Sequence, residues 1–537
     1  MTHNPVTIYD TTLRDGTQGT GISFSVLDKI LIAEKLDAFG IHYIEGGWPG
    51  SNPKDIAFFQ EAAKRTWKSA RITAFGMTRR GKLAVEDDDQ VRLLLAAGTP
   101  AVCIVGKTWS LHVTEVFQVS LDENVSMISD TVAHLKKHNR EVLYDAEHFF
   151  DSFKEDPRYS MRTIQAARDA GADIIVLCDT NGGSMPEDIE RVTASVVKDM
   201  GVPVGIHTHN DSGLGVANAL AGVRAGATQV QGTINGYGER VGNCNLITVI
   251  PNLQLKMGIP VAPNLSQLRE LSLYVDEMAN IVHNFRAPFV GGSAFTHKGG
   301  LHVHAVQKLA RTYEHIDPAL VGNRQNIVVS DLAGQSNVLA KAAALGFELK
   351  KGAPEVARIL HRVKELENEG YEFEAAEASL ALLIQKVLQH HRPLWKLLEY
   401  HTTYRRSGAG ACDTCEATVR LNINDTDAYT VADGDGPVNA LDAALRKALA
   451  PHYPQIDSVR LEDYKVRIIG GQHGTAARTR VLIVSTDGKE SWGTVGVSNN
   501  IIEASWLALT DSLEYKLLQV DGMSGRVAGA GRESYRS

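Results

Sequence analysis

His207-Thr208-His209 closes the apolar run Val202-Pro-Val-Gly-Ile206. Residues i and i+2 of an extended segment point to one face, so two imidazoles can converge there without help from a turn. Asn210 and Asp211 follow at once. An apolar strand that ends in two aligned histidines fits a metal site; two surface histidines in a loop is the alternative. Further polar side chains stand just past other β-rich runs: Arg14-Asp15, Glu45, Asp145, Glu147-His148, Asp179-Thr180-Asn181, and the stretch Asn235 to Asn243. A carboxylate, two imidazoles and an amide oxygen make a mixed N/O set with positions left for substrate oxygens. Such a set suits Mg2+ or Mn2+, with Zn2+ as a further option. No thiol joins it, which argues against a closed structural zinc site.

These side chains need a scaffold that brings strand ends together. Short β-rich runs occur at Val6–Tyr9, His42–Glu45, Arg71–Phe75, Ala101–Val105, Glu141–Tyr144, Asp173–Leu177, Val202–Thr208 and Thr228–Thr233. Amphipathic helical patterns lie between them, clearest at Val26–Phe39 with Ile30, Ala33, Leu36 and Phe39 on one stripe. Gly40, Gly98, Gly171 and Gly226 stand where those helices should end. Eight β–α repeats in about 250 residues have the size and count of a (β/α)8 barrel, whose active site lies at the C-terminal ends of the strands. A doubly wound open sheet is the alternative. Its first strand usually leads into a Gly-rich phosphate turn, whereas here Thr11-Thr-Leu-Arg-Asp-Gly16 follows.

The chain therefore reads as an α/β protein whose TIM barrel spans 1–260. A helical linker with small subdomains is expected over 261–403, where Pro260, Pro263 and Pro288 punctuate the pattern and helices dominate at 265–285 and 354–390. A C-terminal α+β domain follows over 404–520, with strands at Glu416–Ile423, Lys465–Gly470, Arg478–Ser485 and Trp492–Val497 and helices at Gly436–Leu449 and Asn499–Leu518. The Gly-, Ser- and Arg-rich tail 521–537 is expected to be disordered. Cys412-Asp-Thr-Cys415 has no second pair or histidine tract and reads as incidental.

Composition narrows the class. Of the 537 residues 43% are apolar and 22% charged, an ordinary globular balance, with a formal net charge of −8. That charge offers no footprint for nucleic acid or an anionic membrane. No apolar stretch approaches the roughly 20 residues of a membrane span. No cationic leader opens the chain, and five cysteines do not form a disulfide framework, so a reduced cytoplasmic setting is expected.

Two long motifs carry a resemblance. Asp10-Thr-Thr-Leu-Arg14-Asp15-Gly16-Thr-Gln18 resembles the N-terminal signature of the metal-dependent barrel acyltransferases and lyases that include the 2-isopropylmalate, homocitrate and citramalate synthases. The stretch from His207-Thr-His209-Asn-Asp211-Ser-Gly213 to Gly236-Tyr-Gly-Glu239-Arg240-Val-Gly-Asn243 resembles their second signature. His297-Lys-Gly-Gly-Leu-His302 and Gly434-Asp-Gly-Pro-Val-Asn-Ala440 extend the likeness over nearly the whole chain. Glu45-Gly-Gly-Trp-Pro-Gly-Ser-Asn-Pro53 and Tyr144-Asp-Ala-Glu-His-Phe-Phe-Asp151 resemble the citramalate branch. Gly-rich loop features of the lyase branch are not evident around Cys244.

The resemblance implies condensation of acetyl-CoA with pyruvate and water. It implies Asp15, His207, His209 and Asn243 as the metal set, with Asp15 also facing substrate. Arg14 would stabilise the developing alkoxide, and Thr180 would donate to the pyruvate carboxylate. Glu147, His302 and Tyr313 are the candidates for proton transfer from acetyl-CoA. His304 stands where relatives usually carry an acid, which leaves that step open among the three. The linker implies a homodimer, in which it reaches the neighbouring barrel. The C-terminal domain implies feedback by an end-product amino acid, isoleucine for a citramalate route. A 2-isopropylmalate synthase is the alternative within the family, and a non-catalytic amino-acid sensor is the alternative outside enzymes. Ile104 and Met77, near the ends of strands four and three, are expected to wall the oxoacid pocket.

Overall fold

A computed structural model describes residues 5–330, 333–406, 414–469 and 477–520. Cys412, Gly470 at the end of one expected strand, and the expected tail 521–537 lie outside the described residues. The chain divides into two compact units, Met1–Ala294 with Pro318–Arg324, and Phe295–Asp317 with Gln325–Ser537.

Eight parallel strands close the first unit into a barrel in sequence order. They are β1 (Thr7–Asp10), β2 (Tyr43–Gly47), β3 (Arg71–Met77), β4 (Ala101–Lys107), β5 (Glu141–Glu147), β6 (Ile174–Asp179), β7 (Val204–Thr208) and β8 (Gln229–Gly232). All eight expected runs are strands, and β8 pairs back onto β1 to leave no edge. The helix Val26–Phe39 shows why the connections form. Ser25 and Asp28 make a reciprocal capping box, and Gly40 ends the helix in a left-handed conformation at φ 106°. Its stripe Ile30, Ala33, Leu36 and Phe39 is fully buried, worth roughly 1.5–3 kcal/mol for each large side chain. Gly98, Gly171 and Gly226 likewise have positive φ after their helices.

Strand alternation sorts the barrel residues into two faces. Tyr9, Tyr43, Phe75, Ala101, Cys103, Leu143, Ile174, Val176 and Cys178 pack together in the interior, with Val105 against them. Ile104 therefore points the other way. It pairs in register with Gly76 and Tyr144, and a Cβ on Gly76 would meet Leu94 of the outer helix Asp89–Ala96. The expectation that Ile104 walls the oxoacid pocket is thus overturned: it is fully buried on the outward face of β4. The inward residues at that level are Val105 and, by alternation with Phe75, Met77.

After β8 the first unit continues through Leu268–Met278, a shorter helix than the pattern over 265–285 suggested. Asn264 donates to the carbonyl of Ala38, which ties this segment to the helix that follows β1. In the second unit the helical run expected over 354–390 is two helices, Pro354–Glu369 and Glu377–Val387, broken at Gly370 with φ 111°. Two three-stranded antiparallel sheets follow, Lys396–Arg405/Thr414–Ile423/Thr426–Gly434 and Arg460–Ile469/Arg478–Thr486/Ser491–Ser498. Each is followed by a helix, Pro437–Leu449 and Ile501–Val520, so this part is a βββα unit built twice. Cys415 is buried in its core. Among the described residues no helix is long and apolar enough to cross a membrane.

Candidate metal centre and active site

The turn Thr11–Gly16 after β1 is tied down from both sides. Arg14 N and Gly16 N donate to Thr11 O, and Thr12 Oγ1 donates to Asp10 and accepts from Ile234 N beyond β8. The turn aims Asp15 at the end of β7. Asp15 Oδ2 lies 3.5 Å from His207 Nε2, and His207 Nε2 lies 3.3 Å from His209 Nε2. Ligand atoms of all three residues fall within 4.8 Å of one another, and all three side chains are buried. Metal–ligand bonds near 2.1 Å require donor separations of about 3 Å, so the spacing fits.

Asn243 completes the cluster. It bonds the Asp15 carboxylate and donates from Nδ2 to Tyr237 O at 3.1 Å, while its buried Oδ1 has no partner. Protonation also fits a cation. Burial works against ionisation of Asp15, but Arg14, His207, His209 and Asn243 together hold its carboxyl below the ordinary range. Burial and the neighbouring His207 push His209 down to about 4, so its imidazole is neutral at physiological pH, as a ligand must be.

Arg14 stands beside this cluster. Its Nε donates to Glu45 Oε1 at 2.5 Å, its NH1 lies 3.6 Å from Asp15 Oδ2, and its guanidinium lies 3.7 Å over the Phe75 ring. Glu45 also accepts from Tyr9 and from Thr11 Oγ1. Glu147 ends β5 and is paired with Lys107. Thr180 Oγ1 accepts from His148 N at 2.8 Å, which leaves its hydroxyl proton for another acceptor. Arg240 is drawn away by Asp211, which it holds at 2.6 and 2.8 Å.

The expected residues Arg14, Asp15, His207, His209 and Asn243 therefore converge, and Glu147 and Thr180 stand at the ends of neighbouring strands. His302 and Tyr313 belong to the second unit, where their rings stack at 4.1 Å between centroids. Both are exposed. Sequence reasoning missed Gln231, whose Oε1 lies 2.8 Å from His207 Nδ1. A signal existed: Gln229 and Gln231 put two amides on one face of a strand that has no exposed residue. It also noted Glu45 and Asp145 without seeing what they hold.

The closed eight-stranded barrel and the Asp–His–His cluster at its mouth both fall within residues 5–275, which match the model of the HMGL-like family. A homocitrate synthase post-HMGL domain-like model matches 289–371, and a LeuA allosteric (dimerisation) domain matches 374–517. The chain is 54% identical to an (R)-citramalate synthase of Aquifex aeolicus over 96% of its own length and 98% of that protein. It is 50% identical to one of Geobacter sulfurreducens, over 97% and 99%. A 2-isopropylmalate synthase of Methanocaldococcus jannaschii is more distant, 32% identical over 95% and 94%. The chain belongs to the (R)-citramalate synthase family of acyltransferase-type condensing enzymes.

Proposed function

We propose that the chain joins the methyl carbon of acetyl-CoA to the keto carbon of pyruvate, with water releasing CoA to give (R)-citramalate. The observation that carries this reading is the convergence of Arg14, Asp15, His207, His209 and Asn243 at one end of the barrel. Asp15, His207, His209 and Asn243 would hold a divalent cation, Mg2+ or Mn2+ by the ligand types, which when bound would supply Lewis-acid polarisation of the keto carbonyl. Arg14 presents its free guanidinium N–H groups to the oxygen that becomes an alkoxide. The Thr180 hydroxyl donates to the pyruvate carboxylate. Proton removal from the acetyl methyl falls to Glu147, or to His302 acting with Tyr313; the stacking of those two rings supports their acting together.

The LeuA-type domain supports a homodimer and an allosteric effector, which we assign as isoleucine. Exposed apolar residues on its sheets, among them Tyr429 and Ile468, give a second copy something to cover. The four described cysteines are free and buried, which supports a cytoplasmic setting.

Release of CoA thiol from acetyl-CoA, measured against a panel of 2-oxoacids with and without Mg2+ or Mn2+, tests the reading. Turnover with pyruvate that stops on chelation is expected. Turnover with 2-oxoisovalerate alone would instead make the chain a 2-isopropylmalate synthase. No release with any oxoacid would leave an amino-acid sensor. Added isoleucine should lower the rate, and leucine should not.

A further inference from the structure

The His207 ring does not end its contacts at the metal cluster. Its Nδ1 lies 2.8 Å from Oε1 of Gln231. An amide oxygen only accepts, so Nδ1 carries the proton and Nε2 presents a lone pair toward Asp15 and His209. Gln231 is itself oriented. Its Nε2 donates to Asp145 Oδ1 at 3.0 Å. An ionised carboxylate there accepts and does not donate, so with Asp145 ionised the amide's NH2 faces Asp145 and its oxygen faces His207. Cys103 Sγ bonds the Asp145 carboxylate as well. Gln231, Asp145 and Cys103 are 1%, 3% and 0% exposed, so bulk water does not compete for these bonds.

We propose that Gln231 and Asp145 are positioning residues that fix the tautomer and orientation of His207 and thereby set the affinity of the site for its divalent ion. The proposal rests on the metal reading given above. It assigns a direction to the relay, from an acceptor-only carboxylate, through an amide, to an imidazole. Buried partners of this kind typically change metal affinity by about 10–100-fold when removed.

Gln229 supplies a control. It lies two residues before Gln231 on the same strand, is buried, and neither amide atom of its side chain has a partner. The probe is Mn2+ alone, titrated into metal-free full-length protein and followed by the electron paramagnetic resonance of the free ion. Gln231→Leu and Asp145→Asn should each raise the Mn2+ Kd about 10–100-fold. The amide introduced by Asp145→Asn can donate to the Gln231 oxygen and turn that side chain round, which would put the wrong tautomer on His207. Gln229→Leu should leave Kd unchanged.

The thermal midpoint of each metal-free protein separates this role from a purely structural one. Weaker Mn2+ binding with an unmoved metal-free midpoint supports the assignment. Asp145→Asn is isosteric and keeps the test open if Gln231→Leu does not fold. Unchanged Kd in a folded Asp145→Asn protein, or an equal loss in Gln229→Leu, overturns the proposal. Failure of the parent protein to take up Mn2+ overturns the metal reading itself and is distinguishable from both.

Discussion

Arg14 and Glu45 are bonded end to end, Nε to Oε1 at 2.5 Å, across the mouth of adjacent strands. On the proposed role of Arg14, this pairing decides which face of the guanidinium would be left for substrate. Glu45 occupies the Nε edge and the Phe75 ring covers one flat side, so the terminal N–H groups are the free donors beside Asp15. A lysine cannot make both contacts, because it has no planar fork. Arg14→Lys should therefore lower kcat by about 10²–10³-fold, the cost typical of a lost oxyanion donor. Glu45→Gln keeps the length and loses a charge-assisted bond of about 1.5 kcal/mol, so kcat should fall about tenfold. Steady-state thiol release with pyruvate measures both, and full activity in Glu45→Gln would refute the alignment argument.

Acceptor size should be set by Val105 and Met77, and not by Ile104. Val105 packs against the barrel interior, whereas Ile104 faces the outer helices. Enlarging the mouth with Val105→Ala and Met77→Ala should raise the ratio of 2-oxobutyrate or 2-oxoisovalerate turnover to pyruvate turnover. Ile104→Val should leave that ratio alone and cost about 0.5–1.5 kcal/mol of stability, as deletion of one buried methylene group does. A selectivity change in Ile104→Val would contradict the assignment of faces.

The misplaced Ile104 shows where sequence reading stops. The barrel was legible because eight strands, their amphipathic helices and their glycine ends repeat a local pattern that needs no long-range knowledge. The convergence of Asp15 on His207 and His209 was legible because the two histidines lie two apart on one strand and Asp15 sits in a long motif. Facing depends on strand phase, however, and a short buried strand such as Ala101–Lys107 is apolar on both faces, so periodicity says nothing about which is inward. Gln231 was hidden for the opposite reason: its meaning lies in a partner 86 residues away, Asp145. Strand Lys396–Arg405 was missed because it is largely exposed and carries no clean alternation. Its regularity comes from pairing with Thr414–Ile423.

The second sheet-and-helix unit carries an acid-sensitive tie. Asp487, at the hairpin between Arg478–Thr486 and Ser491–Ser498, pairs with Lys516 of the last helix and accepts from Lys489 N and Glu490 N. Burial opposes ionisation, but these donors pull the carboxyl down to about 2. A folded-state value below the unfolded one contributes stability that is present above about pH 4 and fades as pH falls toward 2. With solvent screening allowed for, that contribution is about 1–2 kcal/mol. Asp487→Asn should therefore lower the urea midpoint of the second unit at pH 7, and the gap from the parent should close between pH 4 and pH 2. A gap that persists at pH 2 would mean that packing, not charge, is lost.

Gly238 tests whether the loop after β8 exists to seat Asn243. It has φ 148°, a conformation that side chains rarely adopt, and a Cβ there would collide with Asn243 Nδ2. That is the atom that donates to Tyr237 O, and as the donor of the amide it also carries the bond to the Asp15 carboxylate. Gly238→Ala must strain the backbone or displace the amide. Backbone strain alone costs about 1–3 kcal/mol and would appear as a lower thermal midpoint at any metal concentration. Displacement of Asn243 would appear instead as weaker Mn2+ binding and lower kcat, with the deficit reduced at high Mn2+. We expect both, because the contact leaves no room for the backbone to absorb the whole conflict. Asn243→Ala should reproduce the metal effect without the strain, so the difference between the two variants isolates what the glycine contributes. Equal Mn2+ affinity in Gly238→Ala and the parent would show that the loop tolerates a side chain and that Asn243 is held from elsewhere.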